Sequence, residues 1–499
     1  METELKFQVP PTRRAALRRA VATARVSRTR LQAMYADTPD HRLAQAGLAL
    51  RLRKEGRRWV QTLKGRGDGL MQRLEHEVQL PAQTGVPTLD PRLHAGTPAG
   101  ALLQAALGAG DGDGGALAPL YRTDIQRLHR RVRHAGAVIE IAYDVGRIVA
   151  GSQFVPVDEI EFELISGPPA ALAELALRWV QRHGLWWDVR TKSERGFRLA
   201  QGLHEVPAVR AQALVLPDGA DLHTAWQAML ASALSQALPN AAELAAGSAG
   251  PQHLHQLRVA LRRLRTALSL FAGWSGQDET VLALEARWGE AFTRLGAARD
   301  ADVLADTLWP QLMAAGAPAL QRQPPALGGD TGELVRDPSF SALLLQTLAL
   351  AHSESAARVD SGAAHPSPRR LADAARKILQ AAWKRAHADA RQFELAPDEL
   401  RHRARKRLKR LRYAIEFVAS VLPRKPTRAL QRALQDALEA LGQSNDLQVA
   451  DAHFRAQTEP EPADWFALGW LAAQRQPALR HALGALKRLA KAPPVWRKG

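Results

Sequence analysis

The chain has 499 residues, 46% of them hydrophobic and 24% charged, a globular balance with length enough for two or more cores. It has no cysteine, which excludes a disulfide framework, a thiolate metal site and a cysteine nucleophile. The 68 Lys and Arg against 50 Asp and Glu leave a formal charge of +18 and point to a polyanionic partner.

Only 12 of the basic residues are Lys, and the planar fork of Arg suits phosphate, although a GC-rich genome also enriches Arg. Aromatic residues make up only 5%, too few stacking platforms to favour single-stranded nucleic acid. No apolar run reaches the ~18 residues of a membrane-spanning helix. The opening METELKFQVP lacks the basic start and apolar stretch of a secretory leader. A reducing, cytoplasmic location is expected.

Residues 1–203 show short runs of period two: TELKFQV, LALRLRKE, RWVQTLKG, RLEHEVQL, AVIEIAYDV and DEIEFELIS. This is the strand signature, with KGRGDG and DVGR as turns and helical patterns near 11–26 and 169–183. An α+β fold with a mostly antiparallel sheet or barrel follows. The Gly/Ala-rich stretch 105–118 reads as a surface loop. Its glycines do not follow a strand and open a helix, as a phosphate-binding loop requires. Residues 204–217 read as a linker. From 218 the period becomes 3.6, over 221–238, 252–274, 280–297, 369–391, 398–422 and 427–442, which predicts an all-α bundle. The stretches 316–332 and 360–369 read as mobile loops.

Several predicted strands carry all their charge on one face. Glu2, Glu4 and Lys6 alternate, as do Arg51 and Arg53, Glu75 and Glu77 with Arg73 beside them, and Glu159, Glu161 and Glu163. Glu140 and Asp144 share parity. The opposite faces are apolar: Leu5 and Phe7, Leu50 and Leu52, Leu74 and Val78, Ile160, Phe162 and Leu164. The charged faces are therefore either all solvated or all turned into one polar interior. Carboxylates bind a hard divalent cation through oxygen, and Arg and Lys neutralise phosphate, so a shared interior would suit a phosphate–metal ligand.

The segment ETELK resembles the ExExK signature of the CYTH domains, the triphosphate tunnel metalloenzymes. The LRLR and QTLKG strands, EHE, IEIAYDVG, EIEFEL and the closing TKSERGFRL follow in the matching order. The resemblance covers most of residues 1–203 and implies an eight-stranded antiparallel barrel around a tunnel. It implies metal ligation by Glu2, Glu4, Asp144, Glu161 and Glu163, with Mg²⁺ or Mn²⁺ as cofactor. Lys6, Arg51, Arg53, Lys64, Arg127 and Lys192 would contact phosphates, and Arg195 would be a contact or a structural ion pair. Glu75 and Glu77 would order metal or the attacking water and stand as the catalytic candidates. Asp124, in LYRTDIQR, departs from the family pattern and leaves the roles of Arg122 and Arg127 open. The implied reaction is in-line attack of water on a terminal phosphorus, without a phosphorylated intermediate.

The helical half holds one motif twice. HQLRVALRRLR from His255 and HRARKRLKRLR from His402 match at His255/His402, Arg258/Arg405, Arg262/Lys409, Arg263/Arg410 and Arg265/Arg412. LGAARD, with Asp300, and LGQSND, with Asp446, follow at similar distances. This is an internal duplication. At ~100° per residue, His255, Arg258, Arg262 and Arg265 fall within about 80° of arc, beside a stripe of Leu254, Leu257, Leu261, Leu264 and Leu268. The second copy has Leu408, Leu411 and Ile415 beside its cations. A lone histidine there would be an ordinary half-buried residue, but two at the head of matched basic stripes point to function. No further His or carboxylate has ligand spacing on these helices, which argues against zinc. Asp300 and Asp446 are expected to pair with arginines or cap helices.

This pattern resembles the CHAD domain, the conserved-histidine α-helical domain, over roughly 218–495. The resemblance implies two pseudo-symmetric four-helix bundles (about 218–360 and 369–495) and an association with inorganic polyphosphate. Its contacts would be His255, Arg258, Arg262, Arg265, His402, Arg405, Lys409 and Arg412. Asn445 stands where the first copy has Arg299. The expectation is a multidomain α+β and all-α protein: a tunnel domain over 1–203, a linker over 204–217 and a helical domain over 218–495. The tunnel would be an inorganic triphosphatase with a divalent metal, and the helical domain would bind polyphosphate. A non-catalytic polyphosphate-binding adaptor, and a triphosphatase or cyclase acting on an organic triphosphate, stay open. Nucleic acid is the weaker partner.

Overall fold

A computed structural model describes residues 2–23, 25–67, 69, 71–83, 85–108, 116–296, 308–318, 331–353, 368–457 and 460–496. The chain forms two compact units. The first takes Met1–Val209, Leu238–His253 and Val335–Ser353, and the second takes Arg210–Ala237, Leu254–Leu334 and Glu354–Gly499.

The strands are β1 (Glu2–Gln8), β2 (Ser27–Asp37), β3 (Ala49–Glu55), β4 (Arg58–Arg66), β5 (Gln72–Gln79), β6 (Ala118–His134), β7 (Ala137–Ala150), β8 (Gln153–Ser166) and the short β9 (Trp186–Trp187). Among them lie α1 (Arg14–Val21), α2 (Arg42–Gln45), α3 (Pro98–Leu107), α4 (Pro169–His183) and α5 (Lys192–Gln201). The helical part adds α6 (Leu222–Ala246), α7 (Pro251–Leu270), α8 (Asp278–Arg294), α9 (Trp309–Ala314), α10 (Thr331–Arg336) and α11 (Pro338–Ala351). It continues with α12 (Pro368–Arg391), α13 (Asp398–Val418), α14 (Arg424–Arg455) and α15 (Pro462–Ala490).

In the first unit the strands run β5-β4-β3-β2-β6-β7-β8-β1, and β1 returns to β5 through Glu2↔Arg73 and Thr3↔Gln72. The pairings are antiparallel, so the expected eight-stranded barrel closes and β9 adds to β1. β2 and β6 do not stand out in the sequence as half-apolar runs. Their outward faces carry Arg28, Arg30 and Gln32, and Arg122, Asp124 and Gln126. The stretch 105–118 holds the end of α3 and the start of β6, and residues 109–115 lie outside the described residues.

The outward faces of β1, β7 and β8 bury Leu5, Phe7, Ile139, Ile141, Ile160 and Phe162. Leu17 and Val21 of α1 and Leu172, Ala176 and Val180 of α4 are likewise buried. Phe162 meets the rings of Phe7 at 5.8 Å and Trp179 at 5.7 Å. Each fully buried side chain of this size contributes about 1.5–3 kcal/mol. α11 packs against α4, and the Trp187 amide donates to Ser341 Oγ at 3.0 Å. Nine of the 14 residues of α11 are buried and only Ser339 is exposed, so it shows little amphipathic stripe and escapes a period-3.6 search. On the other wall, Leu48, Leu50 and Leu63 pack with Leu43 of α2 and Leu103 of α3.

Among its described residues, the regular elements of the second unit are all helices. Trp226 of α6 is fully buried and donates to the Ala267 carbonyl of α7 at 3.2 Å. α12 packs on α13, α13 on α14 and α14 on α15, a succession of four helices with Leu408, Leu411, Leu434 and Leu441 buried. α14 runs on to Arg455, so the LGQSND segment is mid-helix and Asp446 stands at no helix end. α15 carries Pro477 in its interior and a weakly sided pattern, which hid it in the sequence. The expected loops at 316–332 and 360–369 fall largely on 319–330 and 354–367, outside the described residues, as does Asp300.

Candidate active site and basic helical surface

The barrel encloses a cavity of about 750 Å³. Strand alternation sends every second side chain inward, and pairing puts those side chains in rows. Tyr121, Tyr35, Arg51, Thr62 and Glu77 form one such row across β6, β2, β3, β4 and β5. Of the two arrangements open to the charged faces, closure of the sheet selects the shared interior. Glu4, Lys6, Arg51, Arg53, Lys64, Glu75, Glu77, Arg127, Asp144, Glu161, Glu163 and Lys192 all line this cavity.

The interior charges are interleaved. Arg53 Nη2 lies 2.9 Å from Glu77, and Lys64 Nζ lies 2.7 Å from Glu75. Arg73 Nε lies 2.6 Å from Glu4. Arg127 reaches Asp144 at 2.6 Å and Glu161 at 2.5 Å. Lys6 is buried and donates to the Arg190 carbonyl. Arg51 is only 8% exposed; its Nη1 donates to the Tyr35 hydroxyl at 3.1 Å, and its Nη2 stands 3.8 Å from both Glu75 and Glu77. Its Nε and Nη2 are buried without a hydrogen-bond acceptor.

Lys192 opens α5, where Thr191 caps the helix by accepting from the Glu194 amide. Its Nζ sits 2.8 Å from Asp144, 2.5 Å from Glu159 and 2.8 Å from Glu161. These three carboxylates present oxygens within 4.8 Å of one another. An all-oxygen carboxylate trio fits a hard divalent cation, and here it already holds a cationic head. Burial disfavours the charge on Lys192, but Asp144, Glu159 and Glu161 outweigh it and raise its pKa well above the usual lysine range. Burial likewise pushes Asp144 and Glu161 towards the acid form, yet Arg127 and Lys192 hold both below the usual carboxylate range. Arg53 is lowered by burial and by Arg51.

Of the expected metal ligands, the structure brings Asp144 and Glu161 together. Glu4 pairs with Arg73, and Glu163 stands in register with Glu4 and Glu140. The side chain of Glu2 lies outside the described residues. Arg195 does not line the tunnel. It binds Glu159 at 3.0 Å and lines a second cavity of about 410 Å³ with Arg190 and Arg198. Asp124 points outward, paired with Arg30 at 2.7 Å, which removes it from the question of Arg127. Sequence reasoning missed Glu159, Arg73 and Tyr35 as site members. Glu159 shares parity with Glu161, and Arg73 with Glu75, so both signals were present; Tyr35 needed the pairing of β2 with β3.

In the second unit, the matched motifs lie on α7 and α13. Arg258 stacks on the Phe292 ring at 4.4 Å and donates to the Phe292 carbonyl at 3.2 Å. Arg262 donates to the Tyr413 hydroxyl at 3.3 Å, and Arg265 lies 2.8 Å from Glu285. Arg263 points into the core instead, donating to Gln236 at 3.1 Å. In the second copy, His402 is exposed and meets Asn445 Oδ1 at 3.3 Å, and Arg412 lies 3.4 Å from Glu416. Burial, then Arg405 and Arg262, push Lys409 down to about 6 against the opposing pull of Asp446. Arg262 and Lys409, matched positions of the two copies, thus feel one another. His255 and Arg405 are half-buried on the same stripes.

Residues 1–187 match the family model of the CYTH domain, and residues 228–455 match that of the CHAD domain. An inorganic triphosphatase of Haemophilus influenzae is 31% identical over 168 residues, which cover 33% of this chain and 44% of that protein. The chain therefore spans less than half of that relative. Among solved structures, the CHAD domain of the plant Ricinus communis is 32% identical, covering 56% of this chain and 96% of its own, with a TM-score of 0.46. A Hippeastrum protein with a dominant triphosphatase activity is 19% identical, covering 40% of this chain and 95% of its own, with a TM-score of 0.29. Among the described residues, no helix is long and apolar enough to cross a membrane. By these family matches, the chain joins a member of the CYTH family to a member of the CHAD family.

Proposed function

We propose that the tunnel hydrolyses inorganic triphosphate with the help of a divalent cation, Mg²⁺ or Mn²⁺. The observation that carries this is Arg51: a buried guanidinium on the wall of the tunnel, with two donor nitrogens that have no hydrogen-bond acceptor. Buried donors of that kind call for an oxyanion. Lys6, Arg53, Lys64, Arg127 and Lys192 line the same cavity and would share the remaining phosphate charge. Asp144, Glu159 and Glu161, with Glu4 and Glu163 beside them, would hold the metal, which supplies charge neutralisation for phosphoryl transfer. Lys192 would then leave the trio and bind phosphate. Glu75 and Glu77, across from Arg51, would orient the attacking water.

We further propose that the stripes of α7 and α13 bind inorganic polyphosphate, through His255, Arg258, Arg262, Arg265, His402, Arg405, Lys409 and Arg412. In this division the tunnel domain spans 1–203 and the helical domain 218–495, and the protein works in the cytoplasm. The test is phosphate release from inorganic triphosphate with Mg²⁺, with Mn²⁺ and with EDTA, beside ATP, pyrophosphate and long-chain polyphosphate. Metal-dependent release selective for triphosphate is expected. No release from any of them, with polyphosphate still bound, would make the protein a binding adaptor.

A further inference from the structure

We propose that the second cavity of the barrel unit binds a nucleoside monophosphate, with the phosphate on Arg190, Arg195 and Arg198 and the base against Trp186. The site is separate from the tunnel, and the inference does not rest on what the tunnel hydrolyses.

The cavity measures about 410 Å³, within the range of small-molecule sites. Its residues all belong to the first unit, and none of them lines the tunnel. Helix α5 divides the two spaces. Lys192 and Phe197 line the tunnel, whereas Arg195, Arg198 and Leu199 line the second cavity.

The cations of this cavity are held from behind. The side chains of Arg190, Arg195 and Arg198 are only 12%, 10% and 13% exposed. Arg190 forms a two-pronged pair with buried Asp188, at 2.9 and 2.8 Å. Arg195 Nη1 lies 3.0 Å from buried Glu159, and its Nη2 donates to the Pro156 carbonyl at 2.6 Å. Arg198 Nη1 lies 2.6 Å from buried Glu243, and its Nη2 pairs with Glu194. None of these four carboxylates lines the cavity, so the wall presents guanidinium rather than acid. A guanidinium carries five N–H groups, and these bonds do not exhaust them. The Nε–H of Arg195 and that of Arg198 take no acceptor among the described residues, and neither nitrogen is sealed from solvent. Guanidiniums fixed in place with protons still to give are suited to a phosphate dianion.

The remainder of the wall suits something larger than an inorganic anion. Val155, Pro156, Trp186, Leu199 and Leu203 line it beside the cations. The Trp186 indole is half-buried and stacks on no other ring among the described residues. Gln8 donates its Nε2 to Asp188 at 3.0 Å and to Glu159 at 3.3 Å, which leaves its carbonyl oxygen as an acceptor on a wall rich in donors. Bare phosphate gains nothing from an indole face or from an added acceptor. A nucleoside offers a flat face to the indole and N–H and O–H donors to the amide oxygen.

The test is calorimetry of the full chain with adenosine monophosphate (AMP) in EDTA, which withholds divalent metal from the tunnel. AMP should bind at least about tenfold tighter than orthophosphate or adenosine, because its two ends are each held. Arg195 also holds Glu159 of the carboxylate trio, so the variants leave it in place. Leu203 lines the cavity and is 47% exposed, so its replacement spares the core. Leu203→Glu should weaken AMP about tenfold or more by like-charge repulsion, and Leu203→Gln should stay within threefold. Equal melting temperatures of the three proteins check the fold. Wild type that does not bind AMP overturns the site. Orthophosphate bound as tightly as AMP overturns the role of the base, and adenosine bound as tightly overturns that of the arginines. AMP affinity in Leu203→Glu within twofold of wild type, or an equal loss in both variants, overturns the assignment to this cavity. Failure of the tunnel to hydrolyse inorganic triphosphate would leave each of these outcomes as it stands.

Discussion

The tunnel and the helical stripes both gather cations, but they balance them differently. In the barrel, β-pairing sets acids beside bases strand by strand: Lys64 with Glu75, Arg53 with Glu77, Arg127 with Asp144 and Glu161. On α7 and α13 the cations follow one another along a helix. Arg265 and Arg412 each reach one glutamate, Arg258 stacks on the Phe292 ring, and Arg262 donates to a tyrosine hydroxyl. The consequence is visible at two lysines. Lys192, among three carboxylates, is held charged, whereas Lys409, among arginines, is driven down to about 6. A compensated site keeps its charge pattern across pH and discriminates by geometry. A site whose cations crowd one another is relieved by any polyanion, and should be sensitive to salt and pH.

The comparison breaks most sharply at the carboxylate trio. Glu161→Gln should lower turnover of inorganic triphosphate by about 100-fold or more, the scale for losing a charged group at a phosphoryl-transfer site. Long-chain polyphosphate should bind this variant as it binds wild type. Phosphate release and a polyphosphate titration check both, and turnover within threefold of wild type would remove the trio from the site.

The reciprocal change acts on the stripes. Arg262→Ala combined with Lys409→Ala should weaken polyphosphate binding about tenfold and flatten its salt dependence, because fewer phosphates are neutralised. Triphosphate hydrolysis should be spared. Unchanged polyphosphate affinity would reject the stripes as the binding surface.

The smallest effect is a proton. Lys409 is depressed in the folded protein, so between about 6 and the ordinary lysine value the unfolded chain binds the extra proton. Stability therefore rises with pH across that window, and the penalty is fully present below it. A polyanion on the stripe should raise the Lys409 pKa, and near neutral pH binding should take up as much as about one proton. Calorimetry in two buffers of different ionisation enthalpy measures this. Lys409→Met should abolish the uptake, and an unchanged uptake would place the proton elsewhere.

Much of the site was legible because a strand has period two. Parity put Glu159, Glu161 and Glu163 on one face before any partner was known. It did not single out Glu159 as the member that closes the trio, since that depends on where Lys192 reaches from α5. Arg195 was grouped with Lys192 through their shared segment. One helical turn later, its side chain leaves for a different cavity. The helical motifs were equally legible, but Arg263, one residue from Arg262, turns into the core against Gln236.

The sequence by itself determined the local alternatives: which side chains share a strand face, which cations share a helix arc, and where period two gives way to period 3.6. These follow from backbone geometry over a few residues. The tertiary structure decided what those faces meet. Only the return of β1 to β5 turns the charged faces into an interior, and only the register of β2 with β3 sets Tyr35 against Arg51. It likewise assigned α11 to the barrel unit, where its apolar surface packs on α4. Charge and burial depend on neighbours far along the chain, and no local pattern encodes them.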